Sequence, residues 1–396
     1  MKFIIGLLLN AVLFTLSWVV PKKKNTILCG GGMAERFSGN PKYFFLYLHK
    51  LKASNQLPFD EYAWITKSTK VYKALQEQNL PVIDGLSLKG FWQILRSEVL
   101  VIESGPAMKK FGHDIGYQRL FMGNFKIVQT WHGSGGKRIL LDALKDRGFN
   151  SPIDYIYFYL ERMELRNLGC ILTMGKREKK FMLQAFDNPN VKILGYPKND
   201  LLVQGLEAWG YQKEWDNYSK VILYAPTFRD TSSNKKAFSD TFLKKLNQLM
   251  VEKNWIFLVK KHPFDINLNI PSHYSNIKDV TSRYDDIQIL LAQTHLLISD
   301  YSSVSIDFLL TKNPMIFYAY DYEEYKKLSR KLHYDLLEDA PGAICRTEDE
   351  LYHTIQDIDL NASNYKEIYQ QNIDIFHTYQ DGKSCQRLLK CIKSDL

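Results

Sequence analysis

Hydroxyl, carboxylate and imidazole side chains gather at the ends of short apolar runs in this chain. Residues Leu296 to Tyr320 read LLISDYSSVSIDFLLTKNPMIFYAY: an apolar run, then Asp300, Tyr301, Ser302, Ser303, Ser305 and Asp307, a helical stretch, Asn313-Pro314, and a second apolar run. Small hydroxyl residues between a strand and a helix bring free backbone N–H groups and the positive helix end together, which suits a phosphate. A single serine there would serve equally well as a helix cap. Six polar groups within eight residues favour an anion site, for a nucleotide diphosphate.

Three more clusters follow apolar runs. Gln129 to Arg138 read QTWHGSGGKR, which carries His132 into a glycine-rich turn with Gly133, Ser134, Lys137 and Arg138. Glycines let backbone approach a ligand closely, the two cations add charge, and a histidine can take a proton from a hydroxyl near neutral pH. A lone histidine would more simply cap a turn; the three glycines and two cations beside it favour function. Lys260-Lys261-His262-Pro263 follow a second run, where His262 can donate to a phosphate oxygen and Pro263 fixes the turn. Ala225 to Asp230 read APTFRD, with Thr227 and with Arg229, which either clamps a phosphate bidentately or pairs with Asp230. Asp307 either orients a site group or favours a helix N-terminus. Asp285-Asp286 are adjacent carboxylates rather than a DxD pair, so no metal site and no cofactor are expected. Gly30-Gly31-Gly32 lack both the GxGxxG spacing and the Lys-Ser/Thr of a phosphate loop.

The elements that position these clusters form two series. Thr26 to Cys29, Tyr62 to Ile65, Val99 to Glu103, Lys126 to Thr130, Cys170 to Thr173 and Val191 to Leu194 read as one set of strands. Val221 to Tyr224, Trp255 to Val259, Ile277 to Val280, Leu296 to Ser299 and Met315 to Tyr318 read as another, with Ala343 to Cys345 as a short addition. Strands alternating with helical stretches predict parallel α/β sheets. The break between Gly195 and Lys220 divides the chain into residues 25–205 and 206–396, two doubly wound domains that would face each other and bind ligands outside their strand C-termini.

Composition narrows the partners. The 396 residues carry a net charge of +9, which favours nucleic acid, an anionic membrane surface or phosphorylated substrates. The basic residues are scattered and no nucleic-acid motif is present, so nucleic acid is disfavoured. Five cysteines form no CxxC pair and read as reduced thiols of a cytoplasmic protein. Phe3 to Val20 is 18 residues without a charge, followed by Pro21 and three lysines. A signal peptide carries its charges before the apolar run, not after it. A membrane span, an interfacial helix and a buried first helix remain, and the lysines would mark the cytoplasmic side. Residues 1–24 are therefore expected to contact the membrane from the cytoplasmic face.

In order and spacing the motifs resemble the CDP-glycerol glycerophosphotransferase family of teichoic-acid and capsule enzymes. The resemblance runs from Lys24-Asn25 and Asn40-Pro41-Lys42-Tyr43 to Asp381-Gly382-Lys383-Ser384. Between them lie TWHG (Thr130 to Gly133), GYPKND (Gly195 to Asp200), ILYAPTFRD (Ile222 to Asp230), KHP (Lys261 to Pro263) and SDYSSVSIDFLL (Ser299 to Leu310), then Asp321, Tyr325 and Pro341-Gly342.

The resemblance implies a GT-B-like α/β fold, an N-terminal acceptor domain, and a C-terminal domain for CDP-glycerol or another CDP-alditol. It makes His132 the base and His262 a phosphate-contacting group. Arg229, Ser302, Ser303, Thr227, Lys261 and Asp307 would lie on the donor side, and Gly133, Ser134, Lys137, Arg138 and Lys198 on the acceptor side. HGSGGKR replaces the common HGTPLK, and Lys198 stands where GxPRND has arginine, keeping the charge and losing the fork. The expected reaction transfers an alditol phosphate to a lipid-linked glycan or growing polymer and releases CMP. The alternative on the same fold is a nucleotide-sugar glycosyltransferase, which would release a nucleoside diphosphate.

Overall fold

The computed structural model describes residues 11–395 apart from 13, 32–33, 104–122, 134–135, 228–235, 262–267, 329–330, 332, 336 and 361–364, and describes 366 by its backbone alone. The first sheet comprises β1 (Thr26–Gly30), β2 (Glu61–Thr66), β3 (Val82–Asp84), β4 (Val99–Ile102), β5 (Lys126–Gln129), β6 (Cys170–Thr173) and β7 (Val191–Ile193). Its order is β3-β2-β1-β4-β5-β6-β7, with every pair parallel. Every residue of β4 and β6 is buried, as expected of strands covered by helices on both faces. The core beneath the sheet includes Leu28, Leu100, Ile127 and Ile171, with Trp131 and Phe186 in edge contact at 5.4 Å.

The second sheet comprises β8 (Lys220–Tyr224), β9 (Trp255–Val259), β10 (Ile277–Asp279), β11 (Leu296–Ser299), β12 (Met315–Tyr318) and β13 (Ala343–Cys345). It is also wholly parallel, in the order β10-β9-β8-β11-β12-β13. Its core includes Tyr224, Phe238, Phe257 and Tyr318, and the Phe238 and Tyr318 rings stack 5.7 Å apart. In both sheets the order reverses beside the first strand, between β1 and β4 and between β8 and β11. Such a reversal opens a crevice at the strand C-termini, where open α/β sheets bind ligands.

The helices start on local signals. Ser151 and Asp154 form a capping box at helix Pro152–Arg166, whose first position is proline, and Thr347 and Glu350 do the same at helix Glu348–Asp357.

Contacts divide the chain into two units. One holds residues 1–132, 139–200 and 383–396; the other holds 133–138 and 201–382. This differs from the sequence division at 205, which left the last helix with the second domain. That helix, Ser384–Asp395, belongs to the first unit because the buried Asp200 carboxylate accepts hydrogen bonds from the Ser384 and Cys385 amides, both at 2.8 Å. Burial raises the Asp200 pKa against the lowering effect of these amide bonds. The five thiols are buried and free, with the Cys170 and Cys391 sulfurs 3.8 Å apart.

Half of the N-terminal apolar segment lies outside the described residues. In its described part Ser17 and Val20 are buried, and Ser17 Oγ accepts a hydrogen bond from the Asn124 amide at 3.2 Å. Phe14, Trp18 and Val19 are exposed. Among the described residues no helix is long and apolar enough to cross a membrane. Two of the three lysines after it are engaged: Lys22 donates to the Leu95 carbonyl at 2.7 Å and Lys23 pairs with Glu61.

Candidate active site

In the first unit the site is built where β5 ends. The last sheet bond of this strand runs from the Thr130 amide to the Ile102 carbonyl, at 2.7 Å. Past it the chain turns sharply: Trp131 adopts φ +55°, a left-handed conformation that costs a bulky residue about 1 kcal/mol or more. Several bonds hold the turn. The Trp131 amide donates to Gln129 Oε1 at 2.9 Å. Asn40, fully buried in the first turn of helix Gly39–Ala53, donates its Nδ2 hydrogens to the Thr130 carbonyl at 3.2 Å and the Trp131 carbonyl at 2.8 Å. Asn40 Oδ1 accepts from the Lys198 amide at 3.2 Å, and the Lys198 ammonium donates to the His132 carbonyl at 3.0 Å. The His132 imidazole, tilted by 32° against the Trp131 ring at 4.5 Å between centroids, is left exposed at the strand end.

Glu103, at the end of β4, accepts from the Asn40 amide at 3.1 Å. Gly39 allows this approach: its φ is +72°, and a Cβ there would sit 1.8 Å from Glu103 Oε1. Gly195 opens GYPKND with φ +77°, and a Cβ there would meet the Ser384 hydroxyl at 2.5 Å. The motif therefore anchors the last helix as well as presenting Lys198.

In the second unit the ends of β8 and β11 meet at the strand reversal. Asp300, fully buried, accepts from the Thr227 amide at 2.8 Å and the Tyr301 amide at 2.6 Å, tying the two strand ends together. Ser302 and Ser303 follow, both half-buried. The helix after them, Val304–Phe308, has only five residues, so its dipole is weak and the hydroxyls carry more of any anion binding than the sequence reading supposed. Asp307 is buried and accepts from Gln288 Nε2 at 3.3 Å, which gives it a supporting place behind that turn.

The segment after His132 runs into the second unit. Gly133 passes so close to Ser303 that a Cβ would lie 2.7 Å from its hydroxyl, and a Cβ on Gly136 would meet the Tyr334 carbonyl at 2.5 Å. The Lys137 ammonium lies 5.3 Å from the centre of the Tyr325 ring, which stacks on Tyr301 at 3.9 Å. Tyr301 donates its hydroxyl hydrogen to Asp321 at 3.1 Å, and the Arg138 amide bonds the Lys331 carbonyl at 2.9 Å. Gly133, Lys137 and Arg138, expected on the acceptor side, thus fall in the second unit, with Gly133 against Ser303.

Lys261, read from the sequence as a donor-side residue, has partners within the second unit. Its ammonium lies 3.0 Å from Asp279 and donates to the Leu268 carbonyl at 2.7 Å, so it braces β9 against β10. Arg229, Ser134 and His262 lie outside the described residues. Sequence reasoning counted Asp300 only as one polar group of an anion site, and gave no role to Asn40, Glu103 or Asp200. A polar residue at a strand end or beside a positive-φ glycine is the signal that could have pointed to them.

Two wholly parallel sheets with polar residues clustered at both strand reversals define a GT-B-like α/β protein. A family model for CDP-glycerol:poly(glycerophosphate) glycerophosphotransferase matches residues 12–394, and the chain belongs to that family of phosphotransferases. It is 28% identical over 383 residues to a teichoic acid glycerol-phosphate transferase of Staphylococcus aureus, covering 93% of each chain. It is 27% identical to a teichoic acid poly(glycerol phosphate) polymerase of Bacillus subtilis, of whose length it spans only 50%. The structure of the wall teichoic acid polymerase TagF superposes with a TM-score of 0.76 at 24% identity, over 98% of this chain and 93% of that one. A variant of TagF has been soaked with CDPG.

Proposed function

We propose that this enzyme transfers glycerol phosphate, or a related alditol phosphate, from CDP-glycerol or a CDP-alditol to a hydroxyl of a lipid-linked glycan or growing polymer, in teichoic-acid or capsule synthesis. The acceptor oxygen attacks the β-phosphorus and gives its proton to His132. The bond from that phosphorus to the bridging oxygen breaks, CMP leaves with the electron pair, and a phosphodiester forms. The observation that carries this reading is the His132 imidazole, exposed at a strand end while the backbone on either side of its Cα is bonded in place. Catalysis of this kind is mostly positioning and neutralisation of phosphate charge. Ser302, Ser303 and Thr227 suit the donor phosphates by chemistry and place, and Arg229 and His262 are assigned to them by motif.

The same reading puts the enzyme at the cytoplasmic face of the membrane, and the uncharged N-terminal run with the three lysines after it supports this. The test is product analysis with CDP-glycerol, CDP-ribitol and a lipid-linked glycan acceptor. CMP release should depend on acceptor and fall at least about 100-fold in His132→Ala and in His262→Ala. Release of UDP from a nucleotide sugar, with no CMP from either CDP-alditol, would overturn the reading.

A further inference from the structure

We propose that Asn40 is a positioning residue for this transfer, acting with Lys198 to aim the His132 imidazole; the inference rests on His132 being the base. Sheet bonding ends at the Thr130 amide, two residues short of the histidine. From there three successive carbonyls, of Thr130, Trp131 and His132, are held by two side chains from elsewhere in the sequence: Asn40 takes the first two and the Lys198 ammonium the third. The same Asn40 carboxamide accepts the Lys198 amide, so the two holders are bonded to each other. Glu103 in turn fixes Asn40 by its backbone, through an approach that only the glycine before it permits. A left-handed tryptophan would relax toward ordinary backbone angles without such bonds, and relaxation at Trp131 swings the next residue's side chain. An Asn that merely filled the core would not need to put both of its donors and its acceptor on the backbone that carries the base.

Asn40→Asp keeps the size and the acceptor for Lys198 but sets carboxylate oxygen against two carbonyls. Lys198→Met removes the ammonium bond to the His132 carbonyl, together with the ammonium's approach to the Tyr196 ring at 5.7 Å. Each variant should lower kcat by about 100-fold, the scale of a misplacement near 1 Å, with KM for CDP-glycerol unchanged; the melting temperature should hold in Lys198→Met and fall in Asn40→Asp, whose buried carboxylate faces two carbonyls. In a His132→Ala background neither should lower the residual CMP release further, because the group they aim is gone. Unchanged kcat, a change confined to KM, or losses that multiply with that of His132→Ala would overturn the positioning role. If Asn40→Asp fails to fold, Lys198→Met carries the test alone. A His132→Ala enzyme at the wild-type rate would instead sink the assignment of the base, whereas a silent Lys198→Met beside an inactive His132→Ala sinks only the positioning role.

Discussion

At the scale of single residues, several polar side chains organise backbone around the site. Asp300 shows this most simply: one buried carboxylate oxygen collects the amides that follow two adjacent strands. Asp300→Ala would leave both amides unpaired and should destabilise the protein by about 3 kcal/mol, since each buried unsatisfied donor costs roughly 1–3 kcal/mol. Asp300→Asn retains an oxygen acceptor and should recover most of that loss. Urea unfolding of the two variants separates the cases, and equal destabilisation would mean that the negative charge matters more than the bonds. Residue types were legible in the sequence here but roles were not. His132 was singled out by its glycines, yet the Asn40 that fixes its backbone lies more than ninety positions away by chain numbering, with no local signal linking them. Lys261 was legible as a cation at a strand end; the Asp279 with which it pairs stands on a different strand.

At the scale of elements, the strands were the most legible feature, because strands buried on both faces must be almost continuously apolar. β3 was missed: three residues, with Val82 half-buried and Asp84 exposed, are too few to show a pattern. The tie between β9 and β10 carries a pH dependence. Burial by itself would raise the Asp279 pKa, but the Thr281 hydroxyl and amide and the Lys261 ammonium outweigh it and hold the carboxyl below its usual range. A carboxyl lowered in the folded state stabilises above its unfolded pKa, about 3.9, and loses that contribution as pH falls through the folded value. Asp279→Asn should therefore be less stable than wild type at pH 7, by about 1 kcal/mol or less because the pair is partly wetted. The gap should close as pH drops below about 4. A gap that stays constant into acid would remove the charge from the explanation.

At the scale of the whole molecule, the chain makes two α/β units whose boundaries do not follow sequence order. Its last helix returns to the first unit and residues 133–138 join the second. The proposed membrane contact belongs at this scale. Phe14, Trp18 and Val19 are exposed beside an uncharged run, which suits an interfacial or spanning segment. Flotation with anionic phosphatidylglycerol vesicles should carry the full chain upward and leave behind a variant lacking residues 2–19, with soluble-substrate CMP release retained. Equal flotation of both would move the membrane contact to another surface.

The sequence by itself determined the two series of parallel strands, the motifs at their ends and the family, because apolar runs and short polar signatures are local and read in order. Only the tertiary structure decided which strand ends lie side by side. The reversal that sets β8 against β11 brings Thr227 to Asp300, and the one that sets β1 against β4 brings Asn40 to Glu103. Those pairings depend on sheet order and helix return, and the bonds they create join residues that no local pattern relates.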